Sequence, residues 1–178
     1  SPEVQERILT VFVDSLRNIT FKEREPVKVD VIKLSTIRPF VWSLPVYAGN
    51  KCIFNYVTCD DNFEINFAKF LDRANDVKAF VKMVPKMNFY VEYRDSKGNL
   101  HYYYPDFVIN TAYDEHIIVE TKGEVDESVQ FKDRRIRTWC EDATRITGNQ
   151  WSYKRVNQEE FERYQFKTLQ EVINTLNG

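Results

Sequence analysis

The chain has 178 residues, of which 43% are apolar and 15% aromatic, enough to form the core of one domain. The formal net charge of -2 excludes a general electrostatic argument for nucleic-acid binding, so any DNA contact must rest on local charge. No apolar run approaches the ~20 residues of a membrane span, and we expect no membrane association. The three cysteines form no CxxC pair and indicate reduced thiols in a cytoplasmic protein.

The first half of the chain predicts two amphipathic helices separated by extended segments. Apolar residues recur at helical spacing over residues 3–19 and 61–74. Asp61 is a favourable N-cap for the second helix, and Glu64 three residues later matches a capping box. The segments between them are, in chain order, a strand VKVDVIKL (27–34), an irregular connection (35–50) and a strand CIFNYV (52–57).

The second half predicts strands, then a longer helix and a further strand. Three strands in series favour an antiparallel meander, and residues 77–83 are an additional short strand that we leave outside it. The elements are strands at 88–95, 100–111 and 115–123, a helix at 128–147, a strand at 151–156 and short helices at 158–164 and 168–176.

Two neighbouring predicted strands, YYYPDFVI and IIVETKG, carry charges that a buried strand does not favour. Strand alternation places Asp106 on the face of Tyr104 and Val108, and Glu120 on the face of Lys122. If the two strands pair as a hairpin, both carboxylates converge beside the lysine. Pro105 removes a ladder donor, which suggests a strand edge or a splayed strand end.

These residue types suit a magnesium site. Carboxylate oxygens are hard ligands, and Mg²⁺ sites often use only one or two of them with water and a substrate phosphate. The backbone carbonyl of Thr121 is a further ligand candidate, and Lys122 could orient a metal-activated water or stabilise charge on the phosphate. The alternative is structural: a salt bridge between Glu120 and Lys122, with Asp106 as a turn residue.

PD at 105–106 followed by ETK at 120–122 resembles the PD-(D/E)xK nuclease motif. Together with IFNYVTCDDNFEINFAKFLDRANDVKAFVK and FKDRRIRTWCEDA, residues 36–156 resemble the C-terminal endonuclease domain of the Res subunit of type III restriction enzymes. The resemblance implies an α/β fold with a mixed central sheet flanked by helices. It also implies a Mg²⁺-dependent endonuclease that cuts double-stranded DNA, with Asp106 and Glu120 as metal ligands and Lys122 as the catalytic lysine.

The same resemblance implies partners and a domain division. A DNA methyltransferase (Mod) subunit would read the DNA sequence, and a translocase elsewhere in the polypeptide would use ATP. We expect residues 1–45 to connect to that translocase and residues 46–178 to form the nuclease domain. The opening Ser-Pro and the lack of a GxxxxGK[ST] loop fit an excised domain that does not hydrolyse ATP itself.

Glu64 and Lys132 are secondary candidates. Glu64 could reach the metal from the first helix of the nuclease domain, although the capping box also explains it. Lys132 falls on the apolar stripe that contains Val129 and Ile136, so it could approach a scissile phosphate; the alternative is a lysine that snorkels to solvent.

Lys132 also begins a basic cluster with Arg134, Arg135 and Arg137, a pattern that fits DNA-backbone contacts or, alternatively, a solvated helical face. Two other functions stay open. One is a repair or transposon-related nuclease with the same motif, and the other is a non-catalytic DNA-binding or subunit-docking module on the same fold.

Overall fold

The computed structural model describes residues 32–122, the last of them by its backbone, and residues 129–176. The helix expected at 3–19 and most of the strand expected at 27–34 lie outside the described residues. Within the described ranges, no helix is long and apolar enough to cross a membrane.

The elements follow the expected order of helix, strands, helix and strand, with two short helices at the end. The strands are β1 (Val46–Tyr47), β2 (Val57–Thr58), β3 (Val77–Lys82), β4 (Val91–Arg94), β5 (Leu100–Tyr103), β6 (Phe107–Thr111), β7 (His116–Lys122) and β8 (Trp151–Asn157). The α-helices are α1 (Asn62–Arg73), α2 (Val129–Thr147), α3 (Gln158–Arg163) and α4 (Leu169–Thr175), and short 3₁₀ turns lie at Leu34–Thr36 and Pro85–Met87.

A four-stranded mixed sheet in the order β3-β6-β7-β8 organises the fold. The pairs β3/β6 and β6/β7 are antiparallel, whereas β7/β8 is parallel because α2 returns the chain across the sheet. The expectation of an α/β fold with a mixed central sheet flanked by helices is confirmed.

Alternating residues of β7 supply two separate cores. Ile117 and Val119 pack with Phe107 against the aromatic face of α1, in a cluster that also holds residues from α4. Ile118 points to the other face, where it packs with Ile136 of α2. The apolar run IIV is therefore buried on both sides, as a central strand requires.

Residues 34–42 pack on a third apolar cluster rather than on the two main cores. Leu34, Phe40 and Trp42 contact the cluster that is formed by Val81, Met83, Val84 and Met87. The proposed division at residue 45 stays a prediction.

The predicted meander is wrong in its strand composition. Residues 77–83, predicted as an additional strand outside the meander, supply β3 of the central sheet. The strand expected at 88–95 instead pairs with β5 in a separate two-stranded sheet. The single strand expected at 100–111 is divided into β5 and β6, because Pro105 has no N–H with which to continue a ladder.

The strand predicted for CIFNYV is wrong over most of its length. In CIFNYV, the first residue, Cys52, forms an isolated bridge to Phe80, and only the last, Val57, lies in a strand, β2, where it pairs with Tyr47. The amide of Ile53 donates to the Phe80 carbonyl at 3.0 Å, so this segment crosses the edge of β3 at one point without running along it. At the end of the predicted strand 27–34, Leu34 begins a 3₁₀ turn.

The start of α1 matches its prediction in part. The Asp61 side chain accepts a hydrogen bond from the Glu64 amide at 2.8 Å, which confirms the N-cap. The Glu64 carboxylate, however, accepts from the amide of Asp60 rather than that of Asp61. Its second oxygen is left for a different partner.

Phe67 provides a test of the core. It is fully buried, and its ring lies 5.3 Å from that of Phe107 and 5.4 Å from that of Phe161, so it joins α1, β6 and α3. We expect Phe67→Ala to lower the free energy of unfolding by about 3–5 kcal/mol in urea titrations, because it removes a ring that the surrounding core cannot replace. Tyr113→Ala, at a side chain that is 73% exposed, is the control and should change it by less than about 0.5 kcal/mol. Equal losses would contradict this assignment of the core.

Candidate active site

Asp106 lies where β6 leaves its neighbour β7. The register pairs Phe107 with Val119, so a continued ladder would set Pro105 opposite Thr121. Pro105 has no N–H to donate to the Thr121 carbonyl, and the Thr121 amide donates to the Asp106 carboxylate at 2.8 Å. Since the N–H and C=O of one residue in an antiparallel strand point to the same side, the Thr121 carbonyl faces this splayed end.

The Asp106 carboxylate is held at both oxygens. Oδ2 accepts from the amide and the hydroxyl of Thr121, each at 2.8 Å. Oδ1 lies 3.0 Å from Nζ of Lys82, the last residue of β3. The Asp106 backbone carbonyl accepts from the amide of Met83 at 2.7 Å. Asp106 therefore connects β3 with β7 at the point where β6 begins.

Lys82 brings Glu64 to the same place. Its Nζ lies 3.0 Å from Glu64 Oε1 and 3.7 Å from Asp60 Oδ2, and its side chain is only 3% exposed. Burial alone would lower the pKa of Lys82, but the charges of Asp106 and Glu64 hold it above its usual range. Burial raises the pKa of Glu64 to about 7, against the opposing charge of Lys82.

Glu120 occupies a separate, buried environment. Its Oε2 accepts from the Tyr103 hydroxyl at 2.7 Å, and the residue is 8% exposed. Burial, followed by the negative charge of Asp106, raises the pKa of Glu120 to about 7, whereas the Tyr103 bond and the charges of Arg155 and Lys132 oppose the rise. The negative charge of Asp106 therefore acts on the Glu120 carboxyl group.

The structure places the predicted site residues in three ways. Asp106 and Glu64 share Lys82 as an ion-pair partner. Asp106 and Glu120 are coupled through their charges, although their hydrogen-bond partners differ. Asp106 comes just before the first residue of β6, so strand alternation does not determine the face of the sheet on which its side chain lies. Its carboxylate accepts hydrogen bonds from Thr121. The side chain of Lys122 lies outside the described residues, so its predicted catalytic role has no structural account.

The basic residues of α2 lie at different depths. Lys132 is half-buried, and its charge acts on Glu120. Arg134 is exposed and Arg135 half-buried, while the exposed Arg137 lies with its guanidinium 5.3 Å from the centre of the Tyr153 ring. Within this basic cluster, Asp133 forms an ion pair with Arg155 of β8 and so ties α2 to the sheet.

The donor set fits a magnesium ion only if water and substrate complete the coordination. Among residues 32–122 and 129–176, no group of three or more His, Cys, Asp or Glu side chains is arranged to hold a metal. Asp106, Glu120 and the Thr121 carbonyl are two carboxylates and one backbone oxygen at the same strand end. Mg²⁺ commonly uses such a sparse protein set and keeps several waters.

Lys82 and Tyr103 are site residues that the sequence reasoning missed. Lys82 stands in an otherwise apolar run, AFVKMV, where a charge needs a partner. Tyr103 is the middle of three consecutive tyrosines, and strand alternation turns it inward while Tyr102 and Tyr104 stay exposed. Both signals were present, but their partners lie on other elements.

One comparison with known proteins identifies a family. A family model described as an endonuclease domain matches residues 50–167, which is more than half of the chain and includes all the described residues of this site. No curated protein and no solved structure matches the chain.

The raised pKa of Glu120 predicts the pH dependence of stability without metal. A carboxyl whose pKa rises from 4.5 to about 7 on folding holds a proton in the folded state that the unfolded state has lost, so its stabilising effect is complete below pH 4.5 and is lost as the pH rises through 7. In the wild type, the free energy of unfolding should therefore fall as the pH rises from 4.5 to 8. We expect this fall to be smaller in Glu120→Gln by on the order of 2 kcal/mol, measured by urea unfolding in EDTA.

Glu92→Gln is the matched control, because Glu92 is exposed on β4. It should keep the wild-type pH dependence. The same dependence in Glu120→Gln would show that Glu120 does not hold the extra proton.

Proposed function

We propose that this chain, which belongs to the endonuclease-domain family, is a Mg²⁺-dependent DNA endonuclease of the PD-(D/E)xK type that hydrolyses phosphodiester bonds. Asp106, Glu120 and the Thr121 carbonyl would hold the ion, and Lys122 would be the catalytic lysine. The products would carry a 5′-phosphate and a 3′-hydroxyl, as the resemblance of PD and ETK to that motif implies.

One observation carries the proposal: the buried Glu120 carboxylate and the partly buried Asp106 carboxylate lie at the same splayed strand end, and the charge of Asp106 acts on Glu120. Burial and the charge of Asp106 raise the pKa of Glu120 to about 7, so ionising both groups together is costly without a cation. Asp106 has the cation Lys82 as a partner, whereas the direct partner of Glu120 is the neutral Tyr103 hydroxyl. The neighbouring carboxylates of Asp106 and Glu120 therefore favour the binding of a divalent cation.

The chain's own residues would divide the work at this site. Lys82 and Thr121 hold the Asp106 carboxylate in one orientation, and Tyr103 holds that of Glu120. Lys132 adds positive charge near Glu120, where a DNA phosphate would approach. A bound Mg²⁺ would supply Lewis-acid polarisation of the phosphate and lower the pKa of a coordinated water.

The finer assignment is to a type III restriction enzyme. It is supported by the resemblance of residues 36–156 to the Res endonuclease domain. Under this proposal a Mod methyltransferase subunit selects the DNA site, an ATP-driven translocase belongs to the same polypeptide, and the enzyme acts in the cytoplasm. The nuclease domain alone would then cut slowly and without sequence preference.

Plasmid nicking tests the proposed activity. With Mg²⁺, the full-length protein and its methyltransferase partner should nick supercoiled DNA, and EDTA should stop the reaction. We expect Glu120→Gln to lower the rate by about 100-fold or more, because a lost ligand removes several kcal/mol of charge stabilisation. Glu92→Gln, which changes an exposed glutamate on β4, should cut at the wild-type rate.

Wild-type cutting by Glu120→Gln would contradict the site assignment. The non-catalytic docking module would be favoured by two results together: neither the wild type nor any variant cuts DNA, and wild type and Asp106→Ala give equal calorimetric heats on Mg²⁺ titration.

The basic cluster of α2 predicts the salt dependence of DNA binding. If Arg134 contacts a phosphate, Arg134→Ala should weaken binding of a duplex and reduce the slope of log K against log[salt] by about 0.9, measured by fluorescence anisotropy in Ca²⁺. Arg145→Ala is the matched control, since Arg145 lies near the end of the same helix and pairs with Asp142. Equal slopes for wild type and Arg134→Ala would identify that face of α2 as merely solvated.

A further inference from the structure

We infer that Lys82 is a built-in cation that takes the place of a second divalent ion between Glu64 and Asp106. The site then holds a single metal, at Asp106 and Glu120, and Glu64 is not one of its ligands. This inference rests on the proposed function, and it decides between the two roles that the sequence leaves open for Glu64.

The geometry puts the ammonium where a second ion would lie. Nζ of Lys82 is 3.0 Å from Glu64 Oε1 and 3.0 Å from Asp106 Oδ1, with Asp60 Oδ2 at 3.7 Å. A Mg²⁺ ion shared by the same two oxygens would need contacts of about 2.0–2.1 Å within the space that Nζ fills. The ammonium and a bridging metal therefore exclude each other.

Glu64 is tied to the start of α1 as well as to Lys82. Oε2 accepts from the Asp60 amide at 2.6 Å, and Oε1 faces Lys82. The Glu64 backbone is fixed as well, because its amide donates to the Asp61 side chain. This carboxylate is consequently a counter-ion for Lys82 and an anchor for the start of α1.

Lys82 is not free to move away when a metal arrives. It pairs with Phe107 in the β3/β6 ladder, and its Nζ lies 5.8 Å from the centre of the Phe107 ring. Its side chain is 3% exposed, so its departure would leave Glu64 buried without its cation. An uncompensated buried charge costs several kcal/mol, which keeps the lysine in place.

The position of Lys82 assigns it an indirect part in catalysis. Together with Thr121 it fixes both oxygens of Asp106. Lys82 is thus a positioning residue. One divalent ion is then enough to balance the remaining charge of the two carboxylates.

Counting bound ions tests this inference without reference to activity. Mn²⁺ titrated into the metal-free chain, followed by calorimetry and by electron paramagnetic resonance, should show one ion per wild-type chain. Glu64→Gln should keep that stoichiometry and affinity, because Glu64 is not a ligand of the single ion. Lys82→Gln should admit a second ion between Glu64 and Asp106, and the double variant Lys82→Gln/Glu64→Gln should return to one.

Lys78→Gln is the matched control, since Lys78 lies on the same strand but forms an exposed ion pair with Asp114. It should bind one ion, as the wild type does. Circular dichroism shows which variants fold, and if Lys82→Gln does not, the wild type and Glu64→Gln decide the matter.

The possible failures separate the two proposals. Two ions in the wild type, a loss of affinity of about 10-fold or more in Glu64→Gln, or a single ion in folded Lys82→Gln would overturn the role of Lys82 and leave the nuclease proposal standing. No ion in the wild type, with or without a DNA duplex, would overturn the proposed function itself.

Discussion

The site depends on the hydrogen bond from the Thr121 amide to the Asp106 carboxylate, at the point where Pro105 ends the pairing of β6 with β7. Pro105 has no N–H to donate to the Thr121 carbonyl, so the ladder between β6 and β7 ends there, and the Thr121 amide donates to the Asp106 carboxylate rather than to a strand carbonyl. The neighbouring backbone carbonyl of Asp106 accepts from Met83 and secures the end of β3. One residue thereby satisfies backbone groups from both flanking strands, and its carboxylate is presented at the end of the sheet.

The surrounding charges follow from that placement. Burying a carboxylate requires a compensating donor or cation, and the two acidic residues meet this requirement differently. Asp106 has an ammonium and two donors from one threonine, whereas Glu120 has a phenol and more distant positive charges. The asymmetry leaves Asp106 firmly oriented and leaves Glu120 without a directly bonded cation.

Each partner of the two carboxylates comes from a separate rigid element. Lys82 is supplied by the edge strand β3, Tyr103 by the two-stranded sheet of β4 and β5, and Lys132 by α2. The ion pair between Asp133 and Arg155 fixes α2 against β8. Side chains that must hold a reactive geometry benefit from such supports, since strands and helices position groups more firmly than loops.

Local pattern was enough for much of this protein. The apolar stripe of α1, its Asp61 cap, the helix α2 and the strand β8 follow from short-range periodicity and capping chemistry. The PD and ETK residues predict two carboxylates on neighbouring strands, at Asp106 and Glu120. Tertiary structure decided that β3 joins the central sheet and that the predicted strand 100–111 divides at Pro105, with Tyr103 turned inward. It also decided that Lys82 joins Glu64 to Asp106. Those outcomes depend on hydrogen bonds and ion pairs between residues distant in the chain, and periodicity within one segment does not record which strand it will meet.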